Sequence, residues 1–244
     1  NLCRENLRAS IEEYHDDGTG KRTYAGGIRN GIGLALHPVT NKLWANNNGS
    51  DLQGNEIPPE WIDIIRDGGF YGHPLAYANQ VWFNFNANPG YQALLPITTT
   101  DSAKVRTMIE PAALIRAHSA PMALTFLNSS FPNAWRYGML SSLHGSWNSP
   151  QSFRGYKVIY LDLSSANDTT VNYTADFIDG FLTDTINRVY WGRPVGLATD
   201  REGSVYMSSD ETNKFILKIY PEALHGINNM REEGFKLYPN PSFE

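Results

Sequence analysis

Three stretches of the chain set a cationic side chain just ahead of an apolar strand. Arg29-Asn30 precedes Ile32 to Leu36, Arg116-Ala117-His118 precedes Ala123 to Phe126, and Arg193 precedes Val195 to Ala198. Guanidinium and imidazole groups that recur at one place in a repeat converge on one pocket. Together they suit a polyanionic small ligand, through bidentate carboxylate contacts. The structural alternative is that each arginine ties neighbouring repeats together through a carbonyl or an acid. On the arrangement alone that role outweighs the functional one.

Two further stretches carry chemistry-bearing side chains. Leu143-His144-Gly145-Ser146-Trp147-Asn148 follows directly on an apolar run, at the kind of position where loops carry function. His144 suits a hydrogen-bond donor or a base, and Trp147 suits stacking on a planar ligand. A wide turn held by its own polar side chains is the plainer reading. Asn46 to Glu56 is rich in oxygen donors and interrupted by glycine. Calcium takes six to eight such oxygens, but the spacing departs from an EF-hand, and a simple Asn/Gly turn is the alternative. Zinc spacing, a P-loop, G-x-S-x-G and the dinucleotide fingerprint are absent from the sequence.

The elements that would position these residues are written three times. Gly33 to Pro38 leads through Asn41-Lys42 to Leu43-Trp44-Ala45. Ala123 to Phe126 leads through Asn128 to Tyr137-Gly138-Met139-Leu140. Gly196 to Asp200 leads through Glu202-Gly203 to Val205-Tyr206-Met207. From Leu34 to Leu124 is 90 residues and from Leu124 to Leu197 is 73, longer than the ~40–45 of a minimal four-stranded propeller blade. Each unit therefore carries inserted loops. The pattern predicts an all-β propeller with residues 1–23 ending a preceding blade, blades over 24–110, 111–174 and 175–220, and a tail over 221–244 with a short helix near Glu222 to His225. Residues 77–110 read as a long insertion without a clean period. A propeller closes with roughly four to eight blades, and the chain starts without Met on Asn1-Leu2-Cys3, so it reads as the C-terminal part of a larger protein.

Composition agrees. Charged residues make up 18% of the 244, aromatics 12%, with 21 Gly and 14 Pro, which suits a turn-rich all-β domain better than a helical bundle. The net charge is −5 without a basic stripe, which argues against a nucleic-acid partner. No apolar run approaches the ~18 residues of a membrane span. Sequons at Asn48, Asn128, Asn167 and Asn172 point to a secreted, extracellular glycoprotein, in which the lone Cys3 either pairs elsewhere or is a buried thiol.

Five words occur in order: Gly26-Gly27-Ile28-Arg29-Asn30-Gly31-Ile32-Gly33-Leu34-Ala35; Asn48-Gly49-Ser50-Asp51 with Pro58-Pro59-Glu60; Gly68-Gly69-Phe70-Tyr71-Gly72-His73-Pro74; Leu143-His144-Gly145-Ser146-Trp147-Asn148; and Trp191-Gly192-Arg193-Pro194-Val195-Gly196. Over about residues 24–220 they resemble the soluble quinoprotein glucose/sorbosone dehydrogenases, including fungal pyranose dehydrogenases that use pyrroloquinoline quinone (PQQ). The resemblance implies a six-bladed β-propeller, of which this chain supplies about the last three blades. It implies PQQ in a positively charged pocket, with calcium polarising the quinone. It implies a sugar substrate (aldose, sorbosone or pyranose) and an external electron acceptor such as a haem domain or a quinone. By the same resemblance, Arg29 and Asn30 contact the quinone. Gly49 and Ser50 offer carbonyls to its calcium, and Asp51, Asn55 or Glu56 serve a neighbouring calcium. His144, with Trp147 on the same loop, falls near the position where bacterial enzymes use a lysine against the cofactor, and Arg193 pairs with a cofactor carboxylate. The family's catalytic base, a histidine of the first half, lies outside this chain. Two other classes fit a propeller of this kind: a non-catalytic extracellular binding module with a degenerate quinone site, and a sugar-lactone hydrolase.

Overall fold

The computed structural model describes residues 8–132, 135, 137–149, 152–211, 213–220 and 236–238. The chain opens with β1 (Ser10–Glu13) and β2 (Arg22–Gly26), which pair antiparallel. The first four-stranded sheet begins with β3 (Leu34–Leu36), β4 (Leu43–Asn47) and β5 (Glu60–Ile64). An excursion follows: β6 (Gly69–Phe70), which pairs parallel with β2, a small hairpin of β7 (Ala76–Tyr77) and β8 (Val81–Trp82), and helices α1 (Pro89–Gln92) and α2 (Thr99–Arg106). Only then does β9 (Ala113–Ile115) close the sheet by pairing with β5.

The second sheet is β10 (Pro121–Phe126), β11 (Met139–Leu143), β12 (Lys157–Leu161) and β13 (Thr174–Ile178), in sequence order. A two-stranded ribbon of β14 (Leu182–Asp184) and β15 (Val189–Tyr190) leads to the third sheet. That sheet is β16 (Pro194–Thr199), β17 (Val205–Ser209), β18 (Phe215–Tyr220) and β19 (Lys236–Tyr238). Among the described residues no helix is long and apolar enough to cross a membrane.

The sheets pack face to face, and strand alternation decides which residue serves which neighbour. On β12, Ile159 and Leu161 face the first sheet, where they join Trp44, Ile62 and Ile115. Val158 and Tyr160 face the third sheet and join Val205, Met207, Leu217 and Ile219. On the far side of the first sheet, Ala45 and Trp61 pack on Ala25, Ile28, Ile65 and Tyr71. Central strands buried on both faces read as near-continuous apolar runs, and Val158 to Leu161 read that way. Each fully buried aliphatic side chain contributes roughly 1.5–3 kcal/mol. The innermost strand of the first sheet is different: Leu34 and Leu36 are 52% and 61% exposed.

Three expectations change. The sheets divide after Ile115 and Ile178, beyond the expected boundaries at 110 and 174, because each fourth strand pairs back onto the sheet before it. The stretch 77–110 is built around two helices, α2 held by a capping box in which Thr98 and Asp101 satisfy each other's backbone N–H. The tail supplies β19 to the third sheet through pairing with β18. The helix expected near Glu222 and the lone Cys3 lie outside the described residues.

Candidate cofactor face

All three sheets send two kinds of loop to one end: the entry to the innermost strand, and the link between the second and third strands. In the first sheet these are 27–33 and 48–59, in the second 116–120 and 144–156, and in the third 191–193 and 210–214. The cationic residues singled out from sequence all lie on the entries, so the topology gathers them at one face.

Asn46, Asn47 and Asn48 spend their amides on the backbone. Asn46 Oδ1 accepts from Gly33 N–H at 2.8 Å and its Nδ2 donates to Met122 O at 2.8 Å. Asn47 Oδ1 accepts from Asn30 N–H at 2.9 Å, and Asn48 Nδ2 donates to Pro121 O at 2.8 Å. The run therefore pins the entries of the first and second sheets together. Asn30 has its backbone fixed in this way and its side chain exposed.

Past this seam the chain turns outward. Arg29 Nη1 donates to Gly49 O at 2.7 Å and Nη2 meets Asp51 Oδ2 at 3.0 Å. Gly49 N–H donates to the buried Glu60 carboxylate, and the backbone N–H groups of Ala120 and His118 lie close enough to favour its charged form. Burial outweighs these bonds and pushes Glu60 up to about 7. Ser50 Oγ accepts from Tyr91 OH at 2.5 Å and lies 3.4 Å from His73 Nδ1. Burial, with Arg29 nearby, drives His73 down to about 4, so it is neutral at physiological pH.

The 144–148 loop meets this cluster at its end. Asn148 Nδ2 donates to Asp51 Oδ1 at 2.7 Å, so Asp51 is shared between sheets. At the other end His144 Nε2 lies 2.8 Å from Asp210 Oδ1. Trp147 is 67% exposed on the same loop. Arg193 is turned inward, its side chain 7% exposed. Nε donates to His144 O at 2.9 Å, Nη2 to Gly145 O at 2.8 Å and Nη1 to Glu211, over the ring of Tyr156. Arg193, expected to pair with a cofactor carboxylate, here directs three of its five N–H donors to the protein. Glu56, expected at a neighbouring calcium, takes a fork from the buried Arg154 at 2.9 and 2.9 Å, with Arg116 at 3.4 Å. These cations hold Glu56 below its usual range.

The geometry thus joins Arg29, Gly49, Ser50 and Asp51 directly and attaches His144 and Trp147 through Asn148. Glu60, His73, Tyr91, Arg154, Asp210 and Glu211 enter from distant sequence. Only Glu60 and His73 had a sequence signal, inside the Pro-Pro-Glu and Gly-His-Pro words. Gly49 O and Asp51 converge on one guanidinium, so this pocket is built around positive charge. Those oxygens are the hard donors that calcium requires. The guanidinium, one-third exposed, suits an anionic ligand beside them.

A family model described as TrAA12-like matches residues 5–219. An uncharacterized protein of Borreliella burgdorferi is 31% identical over 200 residues, covering 81% of this chain and 48% of that protein. The chain thus spans about half the length of the curated relative it matches. In fold it is similar to the holo PQQ domain of pyranose dehydrogenase from Coprinopsis cinerea (TM-score 0.63, 22% identity, 88% of this chain and 61% of that one). It is likewise similar to a calcium structure of the Trichoderma reesei carbohydrate-active enzyme family AA12 (0.59, 20%, 82% and 53%). The apo soluble aldose sugar dehydrogenase of Escherichia coli is a third (0.60, 22%, 88% and 55%).

Proposed function

The chain belongs to the TrAA12-like family, and from that premise we propose that it is part of a PQQ- and calcium-dependent oxidoreductase that oxidises a sugar. The observation that carries the reading is the convergence of Gly49 O and Asp51 on Arg29, at the face where the loops of three sheets meet. The three sheets form about half of a six-bladed propeller in this reading, and the protein acts outside the cell, passing electrons to an external acceptor such as a haem domain or a quinone.

Gly49, Ser50 and Asp51 would hold the calcium, and Arg29 and Asn30 the quinone. When bound, the quinone supplies a two-electron acceptor for the hydride of a sugar C–H bond. Arg29 would bring positive charge to where negative charge grows, which is worth more in a site shielded from water. Glu60 and Tyr91 hold the Gly49-Ser50 turn from beneath. His144 and Trp147 frame the open side. The base that takes the hydroxyl proton lies outside this chain.

A second reading has its own observation. Each arginine of the face meets an acid: Arg29 meets Asp51, Arg116 and Arg154 share Glu56, and Arg193 meets Glu211. A face neutralised in this way suits a non-catalytic binding module. The deciding experiment is dye reduction by the full-length protein over a panel of sugars, with and without PQQ and Ca2+, alongside PQQ uptake followed by absorbance. Activity that needs both additions supports the oxidoreductase. A folded protein that takes up neither belongs to the second reading.

A further inference from the structure

We propose that Asp210 is a positioning residue for His144, fixing the imidazole so that Nδ1 is the ring nitrogen presented to a ligand on the cofactor face. The inference rests on the oxidoreductase reading. His144 Nε2 and Asp210 Oδ1 are 2.8 Å apart, joining the end of β11 to the residue after β17. A carboxylate only accepts, so Nε2 carries the hydrogen and a neutral ring keeps its lone pair on Nδ1. A partner on one ring nitrogen in this way sets both tautomer and ring orientation.

The backbone beneath the ring is already immobile. His144 N–H donates to Ala120 O at 2.9 Å and Gly145 N–H to Ser119 O at 3.0 Å. Arg193 grips both carbonyls from the third sheet. Gly145 has φ +95°, and a Cβ there would lie 2.2 Å from the Tyr156 ring, so the turn has one shape. Rotation about the side-chain bonds is the freedom left to His144, and Asp210 removes it. Four residues on, Asn148 touches the carboxylate that Arg29 holds, so the oriented ring belongs to the loop that borders the proposed pocket. The charged groups around the ring are Asp210 and, at its own carbonyl, Arg193 with Glu211.

The test compares Asp210→Ala and Asp210→Asn in the full-length protein. Imidazole 15N shifts report the tautomer, and titration with PQQ in the presence of Ca2+ reports affinity. The wild type should show one Nε2–H tautomer. Asp210→Ala should give a tautomer mixture and a roughly 10-fold weaker PQQ affinity, with an unchanged melting temperature because Asp210 is half exposed. Asp210→Asn, whose Oδ1 still accepts, should restore both. An unchanged tautomer in Asp210→Ala overturns the proposal, as does an unchanged affinity beside an altered tautomer. Failure of the wild type to bind PQQ, visible in the same titration, overturns the oxidoreductase reading and this proposal with it.

Discussion

Arg193 of the third sheet holds the carbonyl of His144 in the second at 2.9 Å, from a side chain that is almost wholly enclosed. Arg193 thus ties the third sheet to the second. Arg193→Ala removes charged donors from two carbonyls and leaves them unpaired, a loss of about 2 kcal/mol. Urea unfolding of the variant should show that drop at constant m-value, and Arg193→Lys should not recover it, because one ammonium cannot reproduce the fork. Wild-type stability in Arg193→Ala would remove the tie.

Arg29 is the contrasting case. Its partners are Gly49 O and a part-exposed Asp51, so its truncation should leave the melting temperature nearly unchanged. In the full-length protein Arg29→Ala should lower PQQ-dependent dye reduction by about 100-fold, the scale set by removing one preorganised donor. Full activity in that variant would dismiss the proposed pocket.

Asp63 lies fully enclosed in β5, accepting from Ile64 N–H at 2.7 Å and Ala112 N–H at 3.3 Å. Burial pushes it up to about 7 from 3.8, with Arg66 opposing. The folded state therefore holds this proton more firmly than the unfolded chain. Its contribution is present below about pH 4 and is lost as pH rises towards 7, at a steepest slope of about 1.4 kcal/mol per pH unit. Stability measured at several pH values, wild type minus Asp63→Asn, should fall across that window. A flat difference would place Asp63 as an ordinary carboxylate.

The four sequons divide by what their amides already do. Asn48 is buried with Nδ2 on Pro121 O, and Asn128 Nδ2 donates to Asp200 O across two sheets at 2.8 Å. Asn172 Nδ2 is held by Asp162 at 2.9 Å and Ser164 at 2.7 Å. Asn167 stands exposed in a turn. Protein secreted from a eukaryotic host should carry glycan at Asn167 and none at Asn48 or Asn128. Peptide mapping after enzymatic deglycosylation reads this directly, and occupancy of Asn48 would contradict the seam it forms.

The paired inner strands were legible because their apolar residues and turns are adjacent: Leu34 to Ala45, and Leu197 to Met207, pair across short links. The fourth strands were not. Ala113–Ile115 returns to β5 after a whole excursion, and nothing local in three residues announces a partner so distant. The cationic entries were readable because the repeat puts them in register. Their acids were not: Asp210 sits a sheet away from His144 and Glu211 a strand away from Arg193, and only folding brings them together. The same holds for Glu60, whose carboxylate lies among backbone N–H groups from the loops of two sheets.

Gly49 O and Asp51 share a single cation, Arg29. If that guanidinium swings towards an anionic guest, both oxygens are left facing nothing positive, and a divalent ion is the natural replacement. Anion and metal would then be taken up as a thermodynamic couple. Each would raise the affinity of the other by the same factor, and either alone would bind weakly.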